Sequence, residues 1–328
     1  MRIAFLQGSD QRVRIFTKRH LELLSQWGEV TLNESTGHQS EDQLIQAIEG
    51  ADVAITSWGV SALNQRVLSR APNLKLVLHA AGTVKPIVTP ELWDRGIRMT
   101  NATAALGRGV AETALGLTIA SLKDMWRLSQ LTKAGKWGPV DKVTELFDIK
   151  IGVVGAGMAG SHYVKLLQQF EVEVLIFDPF LSAERAQSMG AVKVTFEELL
   201  TQSDVISIHV PSLPETQHLF NKESLGLMKD SCILINTARG AVIDEQALVQ
   251  ELAQGRFFAC LDVTDPEPPE ADHPFRSLPN VILTPHIAGA VNNGLQRIAR
   301  SVIQDFQLYL QGEMMNGEVK QEELNLLA

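Results

Sequence analysis

The sequence predicts an α/β protein of two domains, each built on a doubly wound parallel sheet. Three observations carry this. At 328 residues the chain is longer than the roughly 250 to 300 residues at which one core stops growing. Short apolar runs bounded by turn residues alternate with helical patterns from the first residues onward, the pattern of βαβ units. One of those runs leads straight into a glycine-rich turn that opens a helix, "KIGVVGAGMAG".

The first domain starts with the strand "RIAFL", then a helix over "RIFTKRHLELLSQWG", the strand "EVTL", a helix over "EDQLIQAIEG" and the strand "DVAIT". "SALNQRVLSRAP" follows as a helix with Ser61 as its N-cap, and "NLKLVLHAAG" as the next strand. This is a small doubly wound unit. From Leu106 to Ala134 one long helix is expected, with Val110, Ala114, Leu117, Ile119, Ala120, Leu122, Met125 and Leu128 covering more than one face, so it needs partners on two sides.

At Lys150 the alternation restarts. "KIGVVGAG", "EVEVLIFDP", "SDVISIHVP", "DSCILINTARG", "FFACLDV" and "NVILTPH" are six strand candidates, a full set for a dinucleotide fold of Rossmann type. A last helix, "GLQRIARSVIQDFQLYLQG", carries Ile298, Val302, Ile303, Phe306, Tyr309 and Leu310 along one flank and is expected to fold back onto the first domain. The acidic tail after Gly312 is expected to be partly exposed.

Composition narrows the function classes. A formal charge of −9 with scattered basic residues lacks the electropositive stripe that nucleic-acid phosphates select. No stretch approaches the ~18 apolar residues of a membrane span, and "MRIAFLQGSD" is too short an apolar run for a signal peptide. Cys232 and Cys260 stand in apolar contexts without metal-binding spacing, which reads as buried thiols. A water-soluble cytoplasmic protein with no metal is expected.

The glycine loop carries the first chemistry. Gly155, Gly157 and Gly160 have G-x-G-x-x-G spacing between a strand and a helix. In that context the first glycine allows the tight turn, the second lets backbone approach a pyrophosphate, and the third lets helix and strand pack closely. The N–H groups near Met158 and Ala159 then face the anion. Asp178 ends the next strand 18 residues after Gly160, near the spacing of about 20 at which a carboxylate takes the ribose hydroxyls. A carboxylate there repels a 2′-phosphate, so the cofactor expected is NAD.

In open α/β sheets ligands bind beyond the carboxyl ends of strands, and four consecutive strand candidates end in polar groups: His209, Asn236 to Gly240, Asp262 and His286. Arg239 suits bidentate capture of a carboxylate, although most arginines serve in surface ion pairs. Glu267 lies in a stiff proline-rich loop, "DVTDPEPPEADHP". A guanidinium, an acid and an imidazole together are the apparatus for reducing a carbonyl while an acid protonates its oxygen.

These motifs, in the order "VVGAGMAG", "FDP", "HVPSLPET", "INTARGAVIDEQAL", "LDVTDPEPP" and "NVILTPHIAG", resemble the D-isomer-specific 2-hydroxyacid dehydrogenases. "NLKLVLHAAG" and "GRGVAETALGL" extend the similarity more loosely into the first domain. The resemblance implies that Arg239 binds the substrate carboxylate and carbonyl, that His286 is the general acid/base, and that Glu267 hydrogen-bonds His286 and favours its protonated form. It implies that Asp262 engages the nicotinamide carboxamide, that His209, Pro211, Thr216, Thr237 and Ala238 line the cofactor, and that Gly82 and Thr83 offer backbone donors to the substrate carboxylate. It further implies a flavodoxin-like substrate domain over residues 1–103 completed by 292–328, an NAD-binding domain over 104–291, and a homodimer built around the 106–134 helix. Relatives carry a glycine-rich segment with a downstream acid and asparagine where this chain reads "HAAGTVKPI"; Lys85 there would favour a diacid or a phosphorylated acid.

The reading is an NAD-dependent enzyme interconverting a 2-oxo acid and its (R)-2-hydroxy acid. The alternative is an NAD(H)-sensing binding protein or corepressor-like member of the same fold. A formate dehydrogenase is disfavoured because relatives of that type place glutamine where Glu267 stands.

Overall fold

The computed structural model describes residues 1–326, which fall into two compact units, Met1–Leu106 with Ala290 onward, and Gly107–Gly289. The first unit carries strands β1 (Arg2–Phe5), β2 (Glu29–Thr31), β3 (Val53–Thr56), β4 (Leu76–His79) and β5 (Arg98–Thr100). The second carries β6 (Phe147–Val154), β7 (Glu171–Phe177), β8 (Val192–Lys193), β9 (Val205–Ile208), β10 (Ile233–Asn236), β11 (Phe258–Leu261) and β12 (Val281–Leu283). The chain then returns to the first unit with β13 (Glu318–Val319).

In the first unit the order is β13-β5-β4-β3-β1-β2, parallel except for β13, which pairs antiparallel with β5. Alternate residues of each strand face opposite sides, which is why both faces become cores. Ile3, Phe5, Ile55, Leu76 and Leu78 pack with Ile298, Val302 and Phe306 of the final helix, Leu295–Gln311. Ala4, Ala54, Val77 and Met99 pack on the other side with Leu44, Ile48, Val67 and Leu68. The strand order reverses between β1 and β3, a flavodoxin-like arrangement.

The second unit has the order β12-β11-β10-β9-β6-β7-β8, all parallel. It too is covered on both faces: Ile206, Ile208 and Leu234 belong to one core, Ile151, Val153 and Ile235 to the other. Its reversal lies between β6 and β9, the strands that flank the glycine loop. Cys232 and Cys260 are buried free thiols, pushed up to about 12 by burial.

Local geometry departs from the sequence expectation in several places. The single helix expected over 106–134 is two helices, Thr103–Leu122 and Met125–Lys133, because Asp124 turns left-handed (φ 49°) and then takes Arg127 as an ion partner. The helix after β1 also divides, into Ser9–Ile15 and Lys18–Ser25, where Phe16 turns extended and Thr17 begins a capping box with His20. Ser61 is not an N-cap: its hydroxyl donates to the Gln39 carbonyl (2.7 Å), and Asn64 caps the helix by accepting from the Val67 N–H. The short strands β5, β8 and β13 are additions to the expected set. The segment after Gly312 is partly exposed as expected, and among its described residues Met315 and Val319 are buried and Arg98 grips Glu318 through two hydrogen bonds (2.6 and 2.8 Å).

Candidate active site

Strand register decides which residues meet at the carboxyl edge of the larger sheet. Across it, Phe177, Val154, Ile208, Asn236, Leu261 and Leu283 are paired in turn. The residues that follow them therefore stand in one row: Asp178, Gly155, His209, Thr237, Asp262 and Thr284. Six different loops are aimed to the same side by this row, although the chain separates its ends by more than a hundred residues.

At the reversal point, Gly155 has φ +99° and Gly160 packs so closely that a Cβ would lie 2.0 Å from the Gly155 carbonyl oxygen. A Cβ on Gly157, in contrast, would meet open space. The turn thus spends two glycines on its own geometry and leaves the third facing free volume at the N-terminus of the helix Met158–Leu167, the cradle a pyrophosphate requires. Asp178 is tied to this loop: Oδ2 accepts from the Ala156 N–H and Oδ1 from the Phe180 N–H, both at 2.8 Å. Each oxygen keeps acceptor capacity for ribose hydroxyls.

His209 is buried behind the loop, its Nε2 2.9 Å from the Ser207 hydroxyl, and burial pushes it down to about 3, so the ring is neutral. His209 Nδ1 and Thr237 Oγ1 are buried without a hydrogen-bond partner among the described residues. Unmet buried polar atoms are rare, and these two stand in the strand-end row. Thr216 Oγ1 donates to the Pro211 carbonyl (2.6 Å) and closes the loop after β9. These features fit a dinucleotide.

Arg239 follows β10 in a turn organised by Asn236, whose side chain accepts from the Ala238 N–H (3.0 Å) and donates to the Arg239 carbonyl (2.9 Å). Its guanidinium is exposed, donates to the Ala238 carbonyl (2.7 Å), and has no carboxylate partner among the described residues. Gly240 explains how this turn meets the next loop: a Cβ there would come within 2.1 to 2.6 Å of the Thr264 and Asp265 backbone. That loop carries Glu267, with cis peptide bonds at Asp265–Pro266 and Glu267–Pro268.

His286 and Glu267, separated by 19 positions, are joined by a 2.6 Å hydrogen bond between Nδ1 and Oε1. Both side chains are about half exposed (49% and 43%), and His286 Nε2 has no partner among the described residues. With Nδ1 oriented by the carboxylate, Nε2 is the atom left to exchange a proton with a ligand. The turn is strained, His286 having φ +51°, and Asp262 holds it. The Asp262 carbonyl accepts the His286 N–H (2.9 Å), Oδ1 accepts from Ile287 N–H (2.9 Å) and the Thr284 hydroxyl (2.5 Å), and Oδ2 accepts from Ala288 N–H (2.8 Å). Asp262 is 1% exposed, so its observed contacts point inward, to the histidine's own turn. The sequence places Asp262 and Asn236 at strand ends but does not show that they brace the two turns, and it gives no signal for Thr284.

In the first unit, Gly82 and Thr83 follow β4 in a half-buried loop, and their N–H groups have no acceptor among the described residues. Lys85 beyond them is exposed. No helix among the described residues is long and apolar enough to cross a membrane, and no group of three or more His, Cys, Asp or Glu able to hold a metal occurs among them.

Known proteins share the fold and the family of this chain. Residues 115–288 match the family model of the D-isomer specific 2-hydroxyacid dehydrogenase NAD-binding domain, a group of NAD-dependent oxidoreductases. The chain is 34% identical to D-3-phosphoglycerate dehydrogenase of Methanocaldococcus jannaschii over 303 residues, 91% of this chain and 57% of that one, so it spans little more than half of that relative. It is 34% identical to glyoxylate reductase of Thermofilum pendens over 330 residues, covering 95% of this chain and 94% of that one. The solved D-lactate dehydrogenase of Aquifex aeolicus, complexed with NAD and lactic acid, superposes with a TM-score of 0.70 at 27% identity over 95% of this chain and 96% of that one. Strand order, glycine loop and family match converge: this chain belongs to the D-isomer specific 2-hydroxyacid dehydrogenases and carries their NAD-binding domain.

Proposed function

We propose that the protein interconverts a 2-oxo acid and its (R)-2-hydroxy acid with NAD(H). The observation that carries this reading is the His286–Glu267 hydrogen bond, with Nε2 left without a partner among the described residues. In reduction, protonated His286 gives its proton to the substrate carbonyl oxygen as it becomes a hydroxyl; in oxidation the neutral ring takes that proton back. Glu267 faces Nδ1, fixes the ring and stabilises the imidazolium. Arg239, exposed and without an acidic partner among the described residues, holds the substrate carboxylate and polarises the carbonyl. Bound NADH supplies the hydride.

The first unit acts as the substrate domain, with the Gly82 and Thr83 N–H groups as carboxylate donors, and Asp178 selects NAD over NADP. His209, Pro211, Thr216, Thr237 and Ala238 line the dinucleotide. A second copy of the chain covers the helix Met125–Lys133, which has no buried residue, and the segment after it, where Trp137 is 92% exposed; the protein then works as a cytoplasmic homodimer. A panel of 2-oxo acids, including glyoxylate and phosphorylated and dicarboxylic members, with NADH oxidation as readout, tests the reading. Turnover is expected with at least one, and His286→Ala is expected to remove it while NADH binding persists. A chain that binds NADH and turns over none would be a sensor instead.

A further inference from the structure

Glu245 opens the helix Glu245–Ala253 and its side chain is only 12% exposed. Its two oxygens are used at opposite ends of one loop. Oε1 accepts the N–H of Asp265 at 2.9 Å, two residues before Glu267. Oε2 lies 3.3 Å from Nε2 of His273. His273 Nδ1 accepts from the Phe275 N–H (3.3 Å), which leaves Nε2 as the ring nitrogen standing beside the Glu245 carboxylate. One carboxylate thereby ties the start of the segment "DPEPPEADH" to its end, with Glu267 inside the closed ring.

We propose that Glu245 is a positioning residue for Glu267, a clamp that sets where the carboxylate meets His286. The proposal rests on the reading that Glu267 supports His286 in proton transfer. Other contacts leave this task open. Arg276 holds the middle of the loop through the Glu270 and Pro269 carbonyls (2.9 and 2.8 Å), and Thr264 Oγ1 donates to the Pro266 carbonyl (2.9 Å). None of these fixes Asp265 against the rest of the fold. Burial pushes Glu245 up to about 7, with the Asp265 N–H working in the opposite direction.

Glu245→Gln preserves size but removes the charge and one of the two oxygens, so the Asp265 N–H and the His273 ring nitrogen no longer both face a carboxylate oxygen. A lost charge-assisted hydrogen bond predicts a fall in kcat on the order of tenfold, with KM for NADH unchanged. A residue acting through Glu267 has nothing further to lose once Glu267 is gone: in a Glu267→Gln background, Glu245→Gln is expected to leave kcat where it stands. Equal losses in both backgrounds overturn the proposal. Independently of turnover, Glu-C cleavage of the full chain after exposed Glu270 is expected to speed up on the order of tenfold in Glu245→Gln, but not in Glu267→Gln. An unchanged cleavage rate in Glu245→Gln also overturns it. Should the wild type reduce no 2-oxo acid, the dehydrogenase reading falls and the cleavage rate alone decides the clamp.

Discussion

Replacing Asp262 by asparagine should loosen the turn that carries His286. The native carboxylate accepts three hydrogen bonds there, from the Thr284 hydroxyl and the Ile287 and Ala288 N–H groups. Asparagine can keep two on its single oxygen, but its NH₂ then faces the Ala288 N–H. Losing a bond to a charged acceptor costs about 1.5 to 3 kcal/mol and stranding a buried N–H about 1 to 3 kcal/mol. The two overlap, because the stranded donor is the partner of the lost bond, so about 3 kcal/mol is the figure to test. Ala288 is 1% exposed, so its amide exchanges only when the turn opens. A loss of about 3 kcal/mol should accelerate that exchange on the order of a hundredfold, measured by NMR on the isotopically labelled protein. Thr284→Val, which removes only a hydroxyl, should give a change of about fivefold, equivalent to about 1 kcal/mol. The left-handed backbone of His286 (φ +51°) should relax at the same time, lowering turnover more than NADH affinity. If the Ala288 amide kept its wild-type protection in Asp262→Asn, the carboxylate would not be what holds the histidine turn.

Asp178→Ala should erase the preference for NAD over NADP, read as the ratio of kcat/KM for the two cofactors; the same variant should weaken the glycine turn by about 1 to 2 kcal/mol through the Ala156 N–H it accepts. An unchanged cofactor ratio would remove Asp178 from the ribose site. Acid should destabilise the first unit through His79, whose Nδ1 lies 2.9 Å from the Thr56 hydroxyl and which burial pushes down to about 4. Because the native ring stays neutral while the unfolded ring charges near its ordinary value of 6.5, this contribution is complete above 6.5. It drains away as pH falls toward 4, by about 2 kcal/mol between pH 7 and pH 5. Urea melts of wild type and His79→Gln at both pH values, followed by hydrogen exchange of β4 amides, check this: the variant should lose less on acidification, and an equal loss would exclude His79 as the source.

Much of the fold can be read from local pattern. Runs such as "RIAFL" and "DVISIHV" alternate faces with period two, and each face proves to be a core. Elements with little apolar content escaped: "VK" of β8 is exposed, and "RMT" of β5 and "EV" of β13 are two or three residues long. The helix break at Asp124 escaped as well, since the apolar stripe continues through it while the backbone does not.

Residue types and strand-end positions in the sequence were enough to nominate Gly155, Asp178, Arg239, Glu267 and His286, because an open parallel sheet presents chemistry at its carboxyl edge. Register was not available there. Only the paired strands place Asp178, Gly155, His209, Thr237, Asp262 and Thr284 in one row, and only the folded loop brings Glu267 to 2.6 Å from His286. The inward role of Asp262 and the reach of Glu245 to both ends of a loop some 20 to 28 positions away were decided by tertiary structure alone. Local sequence determines whether a residue is buried and in which kind of element. Which donor a buried oxygen meets depends on the offset between strands and the path of loops, and those are set by the packing of the whole sheet.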